Sequence, residues 1–358
     1  MKILSDTIFA KEQECLFTLH NLNGIVAQFT SYGARWISMW LPDRQGIFDD
    51  VLLGFPTLSD YRSAKEQYHG AIVGRVCGRI SNACFILNEK EYRLASNDVY
   101  GKPQPNHLHG GNQAFHNRLW DGQLAKNGKG EEMVIFTCFA EDGEEGYPGN
   151  LKVEVIYTLR NDNVLSMECQ AVCDKPTPVN LTNHAFFNLS GQESNSTVLS
   201  HILRIDSSRI IECDTELIPT GHYIPVAGTE LDFTASQPIS EALQSSLFQI
   251  DANEGFSLAF ALDKKNADEM VLAAELFEEV SGRKLSIYTN QPSLQVYTGY
   301  FMDGSDIGKG GNPYRKSAGI ALEMQGFPDA VNRPEFPSVI LAPGNTYCHS
   351  TEYKFSLQ

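Results

Sequence analysis

Four polar segments hold the residues whose types and spacing suit proton-transfer chemistry. In Asn180–Gly191 a lone His184 stands among Asn183, Asn188, Phe186 and Phe187. Amides and aromatic rings are what a pocket uses to grip and stack a polyhydroxylated ring, while an arbitrary histidine is more often a satisfied core residue. In Ala321–Pro334 the carboxylate of Glu323 follows the apolar stretch Gly319–Leu322, as if ending a buried strand. A carboxylate there is costly unless paired or functional, and partial burial would raise its pKa toward neutrality, as a general base needs.

The other two segments carry cations and imidazoles. In Gly74–Ile80, Arg75 and Arg79 are four apart and are expected on one side of a strand. The glycine spacing and the Lys-Ser/Thr of a phosphate loop are missing. Asn106-His107-Leu108-His109-Gly110-Gly111 contains an H-x-H pair, which in a strand would point both imidazoles the same way. Residues 110–115 supply no carboxylate to complete a cupin-type metal set. A loop presenting one histidine to a pocket is the reading adopted, with Gly110 and Gly111 letting the backbone come close. Together the segments supply an acid, a base and hydrogen-bond donors, without a G-x-S-x-G elbow, a Walker loop or H-E-x-x-H. No metal or cofactor is expected.

What positions these residues is a repeated period-two pattern. Leu151, Val153, Val155, Tyr157 and Leu159 fall on one face of a strand, and Leu165, Met167, Cys169 and Ala171 on one face of the next. Arg160-Asn161-Asp162-Asn163 between them is a hairpin turn cluster. Residues 85–94 read as a second hairpin turning near 88–90, and further strands are expected at 25–29, 133–139, 285–289, 294–300 and 319–324. Short helices are expected at 60–68 and 236–248. Residues 270–280 favour helix by propensity, but the turn-like Ser281-Gly282 makes strand the expectation. Many short strands and few short helices indicate an all-β, antiparallel sandwich or barrel, and without a linker or repeat one domain over 1–358 is the simplest organisation.

The 358 residues carry a formal charge of −16, which argues against nucleic acid and anionic membranes and leaves a neutral small molecule as the expected partner. The eight cysteines are scattered without a CxxC pair and are expected reduced, as in a cytoplasmic protein. Residues 1–6 show no basic-then-apolar leader, and no apolar run reaches the roughly 18 residues of a membrane span.

Five segments resemble, in order, the signature segments of the aldose 1-epimerase (galactose mutarotase) family: GRVxxRI at 74–80, NxLHGG at 106–111, NLTNHAFFNLSG at 180–191, PSLQVYTGYFMDG at 292–304 and the long stretch from Leu322 to Tyr347. The resemblance implies a galactose-mutarotase β-supersandwich. By motif, it implies His184 as general acid toward the ring oxygen and Glu323 as base toward the C1 hydroxyl. Arg79 and His109 match its substrate-positioning pair, Gln295 a sugar-binding glutamine, and Phe186 a ring beside the acid. Asn106, which opens the His109 loop, is taken as a further sugar contact. Two departures stand out: Gly78 where the family has Asn, and Ser257 where relatives carry a sugar-gripping Asp. The implied activity is cofactor-free interconversion of the α and β anomers of a free aldose, by a monomer or homodimer. The alternative is a sugar-binding or sensing protein that has lost turnover. A glycosidase using Glu323 with Asp329 is weaker, because Asp329 follows Pro328 in a turn.

Overall fold

A computed structural model describes residues 15–100, 105–247, 250–251 and 255–358. Antiparallel sheets dominate. The largest has nine strands, in the order Asp121–Lys126, Glu132–Ala140, Leu151–Leu159, Val164–Cys173, Tyr347–Leu357, Arg283–Thr289, Val271–Phe277, Ile202–Ile205 and Gln237–Pro238. A seven-stranded sheet contains, side by side, Phe186–Phe187, Ile320–Gln325, Ser293–Tyr297 and Gly255–Ala261. A four-stranded sheet covers the chain from Leu16 to Asp50.

The alternation seen in the sequence is the alternation of the core. Leu151, Val153, Val155, Tyr157 and Leu159 are all buried in the main apolar cluster, as are Leu165, Met167, Cys169 and Ala171 from the paired strand. Arg160 closes their turn by donating its backbone N–H to Val164 O at 2.8 Å. Each fully buried Leu, Val or Ile contributes roughly 1.5–3 kcal/mol. The second hairpin forms from Cys84–Leu87 and Lys90–Arg93, and Val271–Phe277 is a strand despite its helical propensity. Paired on both sides within the nine-stranded sheet, this segment gains more from the ladder than from local preference.

Both expected helices are shorter than their patterns. The first is Leu58–Ser63, capped by Thr57 Oγ1 accepting from the Asp60 N–H. It stops there because the Asp306 carboxylate takes the Lys65 and Glu66 N–H groups at 2.9 and 3.0 Å and draws the chain aside. The second is a 3-10 segment, Ile239–Gln244, anchored by buried Ile239 and Ala242; Phe248 lies outside the described residues. Arg75 and Arg79 do not share one strand. Arg79 is in the short strand Arg79–Ile80, while Arg75 lies before it and points elsewhere.

All eight cysteines are free, and among the described residues no helix is long and apolar enough to cross a membrane.

Candidate active site

Three neighbouring strands give the site its floor. In Ile320–Gln325, Ser293–Tyr297 and Gly255–Ala261, the residues Ile320, Leu322, Met324, Leu294, Val296, Phe256, Leu258 and Phe260 enter the main core. The side chains between them face the other way. Register then aligns Ala259, Gln295 and Glu323 in one row, and Ser257, Tyr297 and Ala321 in the next. Ser257, Ala259, Gln295, Tyr297, Glu323 and Gln325 therefore line a single cavity of about 720 Å³, mouth included.

His184 approaches this floor from a tightly pinned corner. Its backbone N–H donates to Ala71 O, and its carbonyl accepts from Gly70, both at 2.9 Å. The Asn183 side chain donates to Gly70 O at 2.7 Å and to the Tyr157 hydroxyl at 3.0 Å, and accepts from the Ala185 N–H at 2.9 Å. Gly70 has φ of +67°, and a Cβ there would stand 2.0 Å from the Trp36 carbonyl oxygen, so only glycine fits. The Phe186 ring packs 4.9 Å from the His184 ring, and Tyr68 lies 5.7 Å away on a different side chain stack that includes His109 and His116.

The result is a buried acid–base pair. His184 Nε2 lies 3.5 Å from Glu323 Oε1, and Glu323 is 3% exposed, fully rather than partly buried. Burial raises the Glu323 pKa to about 8, with the nearby Glu66 adding to the effect, and lowers that of His184 to about 3. Both shifts favour neutral forms, so near pH 7 the two groups hold one proton between them. Transfer across the contact yields imidazolium and carboxylate.

Polar arms complete the wall. Arg79 donates to both Asp98 oxygens, at 2.7 and 3.4 Å, and so faces the cavity with a fixed orientation. His109 lies in the left-handed region at φ +53°, in a loop whose next residue, Gly110, would set a Cβ 2.0 Å from Gly74 O. Its Nδ1 accepts from the Gly78 N–H at 3.2 Å, which leaves Nε2 as the protonated nitrogen. Gln295 donates to Ser257 Oγ at 2.9 Å.

Other residues singled out by the sequence lie apart from the cavity. Phe186 backs His184 without lining it. Asn106 is also absent from the wall: its side chain accepts from the Asn82 N–H, and its carbonyl from Asn97 and Asp98, so it steadies the residue that holds Arg79. His107 has one ring nitrogen 2.8 Å from Ala95 O and the other 2.7 Å from the Tyr147 hydroxyl, so the H-x-H pair does not converge. Arg75 donates to Pro148 O, Gly149 O and Thr177, stapling a loop. Asp329 accepts from Asn332 within its turn and from Ser81, 248 residues away in sequence.

Glu66, Tyr68, Tyr100, Tyr297 and Phe301 line the cavity without having been singled out. Tyr297 was within reach, two residues from Gln295 on the same strand face. The others follow from chain crossings that no local pattern encodes.

Fold and site together define a β-supersandwich with a buried imidazole–carboxyl pair set in a hydrogen-bonding pocket. Comparison with known proteins agrees with this class. The family model for aldose 1-epimerase matches residues 16–354, and the chain belongs to the aldose 1-epimerase family, a family of isomerases. Human (Homo sapiens) galactose mutarotase is 42% identical over 327 residues, covering 91% of this chain and 90% of its own. Aldose 1-epimerase from Escherichia coli (strain K12) is 34% identical over 342 residues, 95% of this chain and 94% of its own. An aldose epimerase homologue from C. elegans superposes with a TM-score of 0.84 at 30% identity, covering 96% of this chain and 99% of that structure. Galactose 1-epimerase from Lactobacillus acidophilus NCFM gives 0.82 at 28%, covering 97% and 96%.

Proposed function

We propose that this protein interconverts the α and β anomers of a free aldose, with His184 and Glu323 transferring the protons. The observation that carries this reading is the one-proton pair at 3.5 Å, buried beneath a wall of hydrogen-bonding side chains. In the imidazolium–carboxylate form, His184 protonates the ring oxygen as Glu323 removes the C1 hydroxyl proton. The bond from C1 to the ring oxygen breaks, leaving an open-chain aldehyde. After rotation about C1–C2 the freed hydroxyl attacks the opposite face of C1, the carbonyl oxygen regains its proton from Glu323, and His184 takes back the other. Protons and electrons balance, and the step consumes no external reactant. Positioned proton transfer contributes about 10²–10⁴-fold for each group.

Arg79, His109 and Gln295 supply donors that orient the sugar. Ser257, a neutral residue in the same wall, favours the second reading of a sugar-binding protein without turnover, whereas the named relatives favour the enzyme. We place the protein in the cytoplasm, as a monomer or homodimer acting on a neutral sugar.

Polarimetry of freshly dissolved α-galactose, α-glucose, α-xylose and α-arabinose tests the proposal. Acceleration with at least one sugar, lost in Glu323→Gln, is expected. Binding without acceleration would transfer support to the second reading.

A further inference from the structure

Few charged groups line the cavity. Two carboxylates line it, Glu323 and Glu66, while Asp98 is engaged with Arg79. Ser257, Ala259, Cys213 and Leu217 add uncharged side chains to the lining.

Glu66 is fixed at the cavity edge by the Asp306 carboxylate, which accepts its backbone N–H. It is 5% exposed. Its Oε1 accepts from the Tyr100 hydroxyl at 3.1 Å and stands 3.4 Å from the Tyr68 N–H. Among the described residues no hydrogen bond reaches Oε2, and no cation forms an ion pair with the carboxylate. Burial pushes its pKa up to about 7. A carboxylate placed so, with a spare acceptor oxygen, is costly to the fold. The surrounding rings form a platform: Tyr68 and Tyr100 centroids are 6.2 Å apart, Tyr100 and Phe301 5.6 Å, and Tyr297 and Phe301 6.1 Å. Aromatic faces with one acceptor at their edge suit the C–H face and hydroxyl rim of a sugar.

We propose that Glu66 grips the substrate, accepting a hydrogen bond from an aldose hydroxyl remote from C1. This rests on the anomerase reading, in which Glu323 takes the C1 hydroxyl. The edge of the sugar bearing that hydroxyl then turns to Glu66, and the opposite edge turns away from it. Deoxygenation on the second edge is tolerated, and on the first it is not.

The test compares wild type, Glu66→Gln and Tyr100→Phe with the best aldose and with its monodeoxy derivatives. Glu66→Gln is expected to lower kcat/KM about 10- to 100-fold for the parent sugar, chiefly through KM. For the one derivative lacking the gripped hydroxyl, wild type is already slow and the substitution costs nothing more. Tyr100→Phe gives a smaller loss with the same sugar dependence, and it decides the matter if Glu66→Gln does not fold. An unchanged KM, or an equal loss with every sugar, overturns the proposal. If wild type accelerates no sugar, the anomerase reading fails separately. Calorimetric affinities of the same protein–sugar pairs then decide on Glu66: a loss confined to sugars bearing one hydroxyl supports it, and a uniform loss or none overturns it.

Discussion

His184 Nε2 and Glu323 Oε1 stand 3.5 Å apart, while among the described residues His184 Nδ1 and Glu323 Oε2 have no hydrogen-bond partner. Both residues line the cavity, so the pair stands ready beside whatever enters it. Glu323→Gln and His184→Asn are each expected to lower kcat about 10²- to 10⁴-fold with KM nearly unchanged. The double variant should be little worse than either single one, because the groups act as a unit. Initial polarimetric rates over a range of sugar concentrations check all three.

The same pair sets the pH dependence. Glu323 loses its proton near pH 8, and His184 gains a second proton for the pair near pH 3. Between these limits one proton is present. The value of kcat should be level through pH 5–7 and fall above about 8, as the pair empties. A profile still rising at pH 9 would contradict this.

Stability should respond with opposite signs to the two groups. Glu323 is held protonated in the native state up to about pH 8, whereas the unfolded chain releases that proton near 4.5. Between those values each step up in pH costs stability, so Glu323→Gln should raise Tm progressively from pH 5 to 8. His184 is neutral in the native state down to about pH 3 but protonates near 6.5 when unfolded, so its cost grows as pH falls. Burial likewise depresses His69, His107, His109, His116, His201 and His349. Wild type should therefore lose Tm on acidification below pH 6.5, and thermal melts across pH 4–9 measure both slopes.

Arg75 and Arg79 should separate stability from binding. Arg75 donates to two carbonyls and a hydroxyl and lies over the Tyr147 ring, with its guanidinium 5.5 Å from the centroid. Arg75→Met leaves those acceptors unpaired and should cost about 2–4 kcal/mol in denaturant unfolding, with KM unchanged in the folded fraction. Arg79→Met should raise KM about tenfold or more, and also lower Tm because it strands buried Asp98.

Gly78 has φ of +71°, and a Cβ there would meet only Pro328 at 3.6 Å and Gln325 at 3.8 Å. Asparagine tolerates this left-handed conformation better than most residues. Gly78→Asn should fold with a Tm within a few degrees of wild type and lower KM for the preferred sugar. An unchanged KM would place the Gly78 side of the cavity out of the sugar's reach.

The strands were legible because burial imposes period two on them, as Leu151–Leu159 shows. Glu323 was legible for the same reason: a charge at the end of an apolar strand stands out. Glu66 was not. It lies in a stretch that reads as a short helix, and only the Asp306 carboxylate, 240 residues away in sequence, turns it into the cavity. Arg75 misled because four-residue spacing suggested one strand, whereas the backbone leaves that line before Arg79. Asn106 stands near His109 in sequence but bonds to Asn82, Asn97 and Asp98 instead of lining the cavity.

Along the three floor strands, Ser257, Ala259, Gln295, Tyr297, Glu323 and Gln325 face the cavity, while the even-numbered residues between them pack the core. Heredity therefore treats the two sets separately. Point changes at odd positions retune recognition while the packed layer stays as it was. Gain or loss of a single codon within one strand would carry its cavity-facing side chains into the interior and its aliphatic ones into the pocket. A library meant to shift this protein to another sugar is best confined to odd codons, where most members should still fold.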